Sequence, residues 1–558
     1  MKKRLLSLIS ALCIIISFSP STLAANLPEV DVRTEGLTPA QPQEAPAEKP
    51  RDAGAERRTI YVSNEGTEED DGATAETPTT LARATELANE GKKPVEIVVL
   101  GQVSVDTWTS PTVETTLRGG DENAELLFEY CSASDGAYNI GLADALTIDD
   151  IKFNCNYTDY FFSRYYGTYT IVANGYPLVI ASGVQCSYYT ADTIVDGKTC
   201  STSSCYVIGG GLDEDITGGT HVEIYTSLPL TYVYGGGVNG SVESNVYLHI
   251  ENCGKIQHVR AGGYANKKDA KVNGNITLDF INSVTDNPIY GGGYARSSYS
   301  AEVTGSICIN LSGLNNGFGR PIYVGGYWKN APVVGNIRFN ISNTKMNNNA
   351  AAIYGGGYNS DVTGDIFIHI KENSLISEET VWGGGTGDST ITGGVTITVD
   401  DSSEVIGEIR AGGNEGADVI GDVVITVSGG PQSACPTIFA TGKGEDEDNP
   451  AQVDGNVSIT LHGSRANVYT LDKFGEVTSD HAVTIILDDT DELSGAVRGD
   501  SKLGQHLYNY EKNTPTRTGN GASVIVKGDY TSTGIHGFPE VVIEDGGILR
   551  EHLASGET

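Results

Sequence analysis

The strongest constraint on the fold is a short glycine-rich motif that recurs eight times in the middle of the chain. Each copy has an apolar residue, one variable neighbour, then a glycine or small apolar residue, and ends in two glycines. The copies are VIGGG at Val207, VYGGG at Val233, VRAGG at Val259, IYGGG at Ile289, IYVGG at Ile322, IYGGG at Ile353, VWGGG at Val381 and IRAGG at Ile409. They begin 26 to 33 residues apart. A unit this short does not bury its own apolar face, so the repeat predicts a solenoid.

A second motif follows most copies and reads as another strand after a glycine turn. Examples are VTGDIFI at Val362 and VIGDVVI at Val419. Its apolar residues alternate with polar ones, as Ile366 and Ile368 do, which puts one face inside. Two strands and glycine turns per repeat predict an all-β fold, a parallel β-helix (β-solenoid) with rungs of about 30 residues.

The glycine of the second motif and the residue after it recur at one corner of the repeat. Glycine suits either a left-handed backbone or a close approach between rungs. Asn and Asp tolerate such corners and can form hydrogen bonds with one another from rung to rung. We therefore expect a structural ladder of Asn275, Asn336, Asp365, Asp422 and Asn456.

The beginning of the chain predicts export. Lys2, Lys3 and Arg4 precede a short apolar run, and small residues follow near position 24, which is typical of a secretory signal over residues 1–24. Residues 25–58 are rich in Pro, Glu and Ala and predict a disordered linker. No later run is long enough to span a membrane. The protein is therefore expected to be extracellular, and it either stays at the cell surface or is released.

The remaining chain divides by the regularity of its repeats. Residues 59–205 predict an N-terminal cap and irregular rungs, 206–465 the regular glycine-rich rungs, and 466–558 irregular rungs with a polar tail. The cap has a strand at 60–63, an acidic turn at 65–72, a helix with Thr77 as N-cap that ends at Gly91, and a strand at 95–100.

The order of these cap elements resembles the start of secreted pectin-lyase-like β-helix proteins, which open with YVS, an acidic glycine-containing turn, a TP helix and a strand ending in glycine. The resemblance implies a right-handed parallel β-helix with a short capping helix. The glycine-rich repeats also resemble adhesin-like bacterial surface proteins. Because that superfamily includes enzymes, phage tail proteins and adhesins, the resemblance implies no particular reaction.

Charge limits the partners. The chain has 72 acidic and 36 basic residues, a formal net charge of −36, so nucleic acid is not an expected partner and acidic polysaccharide is disfavoured unless calcium intervenes. Acid-rich turns at 68–71, 445–448 and 488–492 predict at most weak calcium binding, and no other cofactor is expected. The histidines show no metal-ligand spacing and no nucleophile partner.

Aromatic residues form two columns across the repeats. We define the first column as the residue after the apolar one in the first motif and the second column as the tyrosines that follow the glycines. The first column is Ile208, Tyr234, Arg260, Tyr290, Tyr323, Tyr354, Trp382, Arg410 and Phe439, and the second is Tyr264, Tyr294, Tyr327 and Tyr358. Strand alternation sends the first column outward. Ring stacking along the solenoid accounts for this pattern without any ligand.

The functional alternative is that the neighbouring glycines leave the rings of the first column uncovered. They would then form a flat strip for sugar rings, with Arg260 and Arg410 as hydrogen-bond donors. The residues predicted to bind glycan are Tyr234, Arg260, Tyr290, Tyr323, Tyr354, Trp382 and Arg410.

An enzymatic role needs carboxylates that the repeats do not supply in an obvious pair. Asp365 and Asp422 share a column two repeats apart, or about 9.6 Å, at the outer limit for an inverting glycosidase. No acidic column is expected opposite Arg260 or Arg410, so no catalytic residues are predicted. We expect an adhesin-like protein that binds glycans. A polysaccharide lyase or glycoside hydrolase and a purely structural protein remain open, as do the ligand and the oligomeric state.

Overall fold

The computed structural model describes most of the chain beyond residue 56. The described ranges are 57–128, 138–155, 168–186, 193–195, 198–200, 204–254, 256–296, 298–314, 319–346, 352–377, 379–429, 435–478, 480–488, 505–512, 514–519, 521–544 and 547–551. The chain divides into the units Met1–Gly54 and Ala55–Thr558, and every described residue belongs to the second. The predicted secretory signal and nearly all of the predicted linker lie outside the described residues.

The first long sheet has 17 strands, and each pairs in parallel with the strand one rung further along the chain. Its strands are Arg58–Thr67, Val95–Val99, Thr115–Gly119, Leu146–Asp149, Leu178–Ile180, Thr220–Ile224, Val246–Glu251, Ile276–Ile281, Ile307–Ser312, Ile337–Ser342, Ile366–Lys371, Val395–Val399, Val423–Ser428, Val457–His462, Val483–Asp488, Ala522–Lys527 and Glu540–Ile543. Parallel pairing of successive rungs is the pattern of a β-helix, because each turn of the chain returns in the same direction.

The second long sheet contains the strands of the first motif. Its parallel strands are Trp108–Thr109, Ile140–Gly141, Thr168–Val172, Ser204–Ile208, Leu230–Tyr234, Ile256–Arg260, Ile289–Tyr290, Ile322–Tyr323, Ile353–Tyr354, Thr380–Trp382, Glu408–Arg410, Thr437–Phe439, Asn467–Leu471, Gln505–Glu511, Asp529–His536 and Ile548–Glu551. Strand Thr514–Thr518 pairs antiparallel with Gln505–Glu511.

Shorter sheets cover the remaining turns of the rungs. They are formed by Val333–Val334, Val362–Thr363, Thr390–Thr392, Asp418–Ile420, Ala451–Asp454 and Gly475–Val477; by Gln102–Val105, Glu125–Phe128, Lys152–Cys155 and Gln185–Cys186; by Lys345–Met346, Leu375–Ile376 and Glu404–Val405; by Tyr264–Ala265 and Tyr294–Ala295; and by the antiparallel pair Thr193–Val195 and Lys198–Cys200. Together the sheets form the predicted right-handed parallel β-helix.

Aliphatic side chains fill the interior of the solenoid, as the alternation predicts. Strands such as Ile276–Ile281 and Val423–Ser428 alternate strictly between buried and more exposed positions. Ile276, Leu278, Ile366, Ile368 and Ile425 all belong to one continuous hydrophobic core. Each rung therefore extends the core of the rung before it, and the prediction of an Ile and Val interior is confirmed.

The recurring corner glycines are explained by close contact between rungs. A Cβ atom built on Gly393 would lie 2.3 Å from the backbone oxygen of Gly364, and one on Gly421 would lie 2.3 Å from that of Gly393. Any side chain there would push neighbouring rungs apart. Close approach applies at this corner throughout, and Gly364, Gly393 and Gly421 also have positive φ angles of 148°, 153° and 151°, so both reasons that the sequence leaves open apply there.

The Asn and Asp residues after these glycines form hydrogen bonds from rung to rung, although their main partners differ from those expected. Their side-chain oxygens accept from backbone N–H groups of the next rung. The pairs are Ser306 N to Asn275 Oδ1 (2.8 Å), Asp365 N to Asn336 Oδ1 (2.9 Å), Gly394 N to Asp365 Oδ1 (2.8 Å), Asn456 N to Asp422 Oδ1 (2.8 Å) and Ala482 N to Asn456 Oδ1 (3.2 Å). These bonds satisfy backbone donors where the chain turns. Asp365 and Asp422 are thus used in the ladder.

The N-terminal helix caps the solenoid but begins later than predicted. It spans Leu81–Gly91, and its N-cap is Thr80, whose side chain accepts a hydrogen bond from the backbone N–H of Arg83. Thr77 is therefore not the cap. Thr79 is still extended and bridges to the first strand, which delays the helix. Ala84, Leu87 and Ala88 are buried, so the predicted apolar face does cover the first rung.

Two further observations complete the description. Within the described ranges, no helix is long and apolar enough to cross a bilayer. Cys253 is a buried free thiol, and Cys308 and Cys435 are partly exposed free thiols. Burial raises the pKa of Cys253 to about 12, so this sulfur stays protonated and is a poor nucleophile.

Candidate functional site

The first column lies in register along the second long sheet. Ile208 pairs with Tyr234, and the pairing continues one residue per rung through Arg260, Tyr290, Tyr323, Tyr354, Trp382 and Arg410 to Phe439. Their strand neighbours, such as Val259 and Ile289, belong to the interior core. The first column therefore points away from the interior, and Tyr469, Tyr508 and His536 continue it.

The expected exposure of this column is wrong. The exposed fraction is 8% for Tyr290, Tyr323 and Tyr354, and it is lower for Tyr234, Arg260, Trp382 and Arg410. The rings stack on one another nearly in parallel, with centroids 5.5 Å apart for Tyr290 and Tyr323 and 4.9 Å for Tyr323 and Tyr354. Their faces are thus occupied by their own neighbours.

The second column covers the first. Tyr294 meets Tyr290 edge to face at 5.5 Å, and Tyr358 meets Tyr323 in the same way at 5.7 Å. Tyr264, Tyr294, Tyr327 and Tyr358 are each only partly buried. The aromatic surface that meets solvent is therefore the second column. The glycines between the columns allow this contact, because they let the chain fold the second set of rings back over the first.

The second column presents ring edges and hydroxyl groups. Tyr294 and Tyr327 stack with centroids 4.3 Å apart, and Tyr327 and Tyr358 stack at 4.9 Å, so a sugar ring has no room between them. Burial, followed by the nearby tyrosines, raises the pKa of Tyr327 to about 12, which keeps its hydroxyl a neutral donor. The outcome is a row of phenol groups at the spacing of the rungs.

Trp328 adds an exposed indole ring that the sequence did not single out. Its side chain is 42% exposed, and it stacks beside Tyr327 at 5.5 Å and Tyr358 at 6.0 Å. Its backbone is left-handed, with φ of 80°, which is rare for a bulky residue. Such strain is typical of functional positions. The motif around it, IYVGGYWKN, departs from the other copies, and that departure is the only sequence signal.

Arg260 is a buried cation in an aromatic cage. Its guanidinium carbon lies 3.7 Å from the ring centre of Tyr294, 4.8 Å from Tyr264 and 5.5 Å from Tyr234. Nη1 donates a hydrogen bond to the hydroxyl of Tyr234 at 3.3 Å, and Nε has no partner. No ion pair of Arg260 occurs in the part of the chain that the structure describes.

Arg410 has two individual acidic partners, although no acidic column was expected opposite it. Its guanidinium donates to Glu408 at 2.7 Å and to Asp472, and it lies 4.1 Å from the ring centre of Phe439. Lys512 lies 3.7 Å from Glu408. This charged group lines one side of a cleft of about 850 Å³. Further lining residues are Lys443, Glu447, Pro450, Lys473, Phe474, Glu476 and Glu511.

The sequence indicates one of the carboxylates in this cleft. Glu408 stands two residues before Arg410 in the strand Glu408–Arg410, so both side chains share a face. Asp472 and Glu511 come from the later rungs, whose spacing is irregular, and Asp472 lies 62 residues beyond Arg410. Without a constant period, the sequence gives no basis for placing them beside Arg410.

Histidines on the first sheet are paired with carboxylates. Glu223, His249 and Asp279 occupy successive rungs in one outward column. His249 bonds to Glu251 at 3.1 Å and approaches Asp279 at 3.5 Å. Although burial lowers the pKa of His249, its hydrogen bonds to these two carboxylates outweigh burial and raise that pKa above its ordinary value. Across the described ranges, no group of three or more His, Cys, Asp or Glu residues could hold a metal ion.

Comparisons with known proteins identify no relative: no family model matches the chain, and no curated protein or solved structure is significantly similar to it.

Proposed function

We propose that this protein is a secreted, adhesin-like β-solenoid of the pectin-lyase-like type that binds extracellular glycans. The observation that carries the proposal is the second column together with Trp328. Four tyrosines in register present their edges to solvent, and an exposed tryptophan with a left-handed backbone lies beside them. The predicted first column supports this surface from beneath and has no direct contact with the glycan.

The geometry suits a glycan in two ways. The tyrosines of the second column recur once per rung, with the ring centroids of neighbours 4.3–5.6 Å apart, a spacing comparable to one sugar residue in an extended chain. Trp328 offers an indole face whose apolar surface matches the C–H face of a sugar ring. Hydrogen bonds along the row and one stacking contact are the combination expected of a carbohydrate site.

Intrinsic tryptophan fluorescence gives a direct test. The chain has three tryptophans, and Trp108 and Trp382 are both 6% exposed, so Trp328 dominates the response to a surface ligand. Titration with a panel of soluble oligosaccharides should shift the emission of the native protein. Trp328→Ala should weaken binding about tenfold or more, because a stacked aromatic contact is typical of residues that dominate affinity.

Trp382→Phe is the matched control. Trp382 is aromatic, belongs to the buried first column and lies against Tyr354 at 5.9 Å. Its replacement should leave glycan affinity within about twofold, measured by calorimetry. Equal losses in the two variants, or no binding to any glycan of the panel, would remove the basis of the proposal.

A second candidate function is polysaccharide cleavage in the cleft beside Arg410. The observation that favours it is the group of Glu408, Asp472 and Glu511 in one cleft, since paired carboxylates are the groups that glycoside hydrolases use. The same panel, incubated with the protein, should then release reducing ends or unsaturated uronates. Glu511→Gln should stop the release. Glycans recovered intact would reject cleavage without affecting the binding proposal.

A further inference from the structure

The two arginines of the first column differ in how their charge is compensated. Arg410 donates to two carboxylates, Glu408 and Asp472, on either side of its guanidinium. Arg260 has the same place in the column and is 6% exposed, yet among the described residues it bonds only to the hydroxyl of Tyr234. Its Nε is buried without a partner. A buried cation normally requires an anion. Among the described residues, the cage around Arg260 supplies none, whereas the Arg410 site supplies two.

Aromatic rings surround the guanidinium of Arg260, and no carboxylate within the described ranges forms an ion pair with it. Besides Tyr234, the rings of Tyr232, Tyr264 and Tyr294 lie within 5.3 Å of its guanidinium carbon. His258, on the same strand, is neutral at neutral pH, because burial and then the charge of Arg260 lower its pKa to about 4. The rings stabilise the cation only in part, since they lack the full charge of a carboxylate or sulfate.

The stacking of the second column is interrupted at the same place. Tyr294, Tyr327 and Tyr358 stack within 16° of parallel, but Tyr264 and Tyr294 meet at 64°. Arg260 lies against both of these rings. The contact between Tyr264 and Tyr294 above the guanidinium is therefore not a parallel stack, whereas the other ring contacts of the second column are.

We propose that Arg260, with Tyr264 and Tyr294, binds the anionic group of an acidic sugar, a sulfate or a carboxylate carried on a glycan that lies along the second column. This inference rests on the proposed glycan-binding function and names the class of ligand. The guanidinium pairs with the two oxygens of the anion in a planar fork, and the tyrosines contact the sugar. The ring of Tyr294 moves aside to admit the anion, because it lies directly over the cation.

The net charge of −36 does not oppose a short acidic ligand at this position. Charges further away than about 8 Å are largely screened at physiological ionic strength. Close by, the exposed Arg296 interacts with Tyr264 and adds a second positive charge. Two cations therefore lie near the interruption of the column, although the molecule as a whole is acidic.

Calorimetry with four probes tests the proposal. They are a chondroitin 4-sulfate hexasaccharide, the unsulfated chondroitin hexasaccharide, a neutral chitin hexasaccharide and sodium sulfate. Sulfated and unsulfated chondroitin distinguish sulfate from carboxylate as the anionic group. The native protein should bind one or both of these at least tenfold more tightly than the neutral chain. Free sulfate alone should bind much more weakly than either, because it lacks the sugar contacts.

The variant Arg260→Met should remove the preference for the acidic chains and leave binding of the neutral chain within about twofold. Arg260→Lys keeps the positive charge but lacks the planar pair of donors of a guanidinium, so it should give an intermediate preference for the acidic chains. This variant replaces Arg260→Met in the test if Arg260→Met does not fold. Arg338→Met is the matched control, because Arg338 lies over the ring of Phe367 on the other long sheet. It should change neither affinity.

Each failure has a separate meaning. Neutral and acidic chains bound equally by the native protein, or an unchanged preference in both Arg260 variants, would overturn the Arg260 proposal and leave glycan binding intact. If sodium sulfate bound as tightly as the hexasaccharides, the sugar would contribute nothing to the affinity, and the site would be a simple anion site. No binding of any hexasaccharide would overturn this proposal together with the proposed function.

Discussion

Replacing Arg410 with Met should destabilise the solenoid far more than the same change at Arg260. The side chains of Arg410 and Asp472 are only 5% and 10% exposed, so the variant takes the Arg410 cation away from a buried carboxylate. Breaking a buried pair by removing one partner costs about 3–5 kcal/mol. Glu408 keeps Lys512 at 3.7 Å, which places the expected loss toward the lower end of that range.

At Arg260 the change removes a cation that lies among aromatic rings and leaves no carboxylate behind. The expected cost is that of the cation–π contacts, roughly 0.5–2 kcal/mol, and the incoming Met fills part of the same space. With a loss of about 3 kcal/mol at Arg410 and roughly 0.5–2 kcal/mol at Arg260, the two variants should differ by about 1–2.5 kcal/mol.

Urea unfolding followed by far-UV circular dichroism measures both variants. Hydrogen exchange at the strands Glu408–Arg410 and Asn467–Leu471 shows whether the loss is local. The triple variant Glu408→Gln, Arg410→Met, Asp472→Asn should recover most of the stability, since it removes the isolated charges. If the two single variants unfold at the same urea concentration, the distinction between Arg410 and Arg260 is wrong.

The contacts between rungs and the half-buried His258 each allow a direct test. Gly455→Ala should destabilise by roughly 1–3 kcal/mol in urea unfolding, because its Cβ would lie 2.0 Å from the Gly421 oxygen. Gly394→Ala, whose Cβ has 3.3 Å to its nearest neighbour, should cost clearly less, and equal costs would contradict the close-contact explanation. His258 has a pKa of about 4 when folded and about 6.5 when unfolded, so the unfolded state takes up the proton first and stability should fall as the pH drops from 6.5 toward 4. His258→Gln should flatten this part of a thermal-melting profile against pH, and an unchanged slope would assign the effect to other groups.

Much of the fold followed from periodicity. The second motif placed Ile276, Ile366 and Ile425 inside, and the first motif placed Tyr290 and Tyr323 in one outward column. Both predictions depend only on strand alternation and a repeating unit, which are local properties of the chain. The start of the capping helix was missed because Thr79 bridges to the first strand, a contact that no local preference reveals.

The sequence alone determined that this chain forms a solenoid. It also determined which side chains enter the interior and which residues lie in register, because each repeat makes the same contacts with its neighbours. Only the tertiary structure decided which aromatic surface meets solvent. The second column lies over the first, since glycine lets the backbone approach closely enough for Tyr294 to cover Tyr290. It also decided that Arg410 meets Asp472 while Arg260 meets only rings, because charge pairing depends on which side chains the rungs bring together.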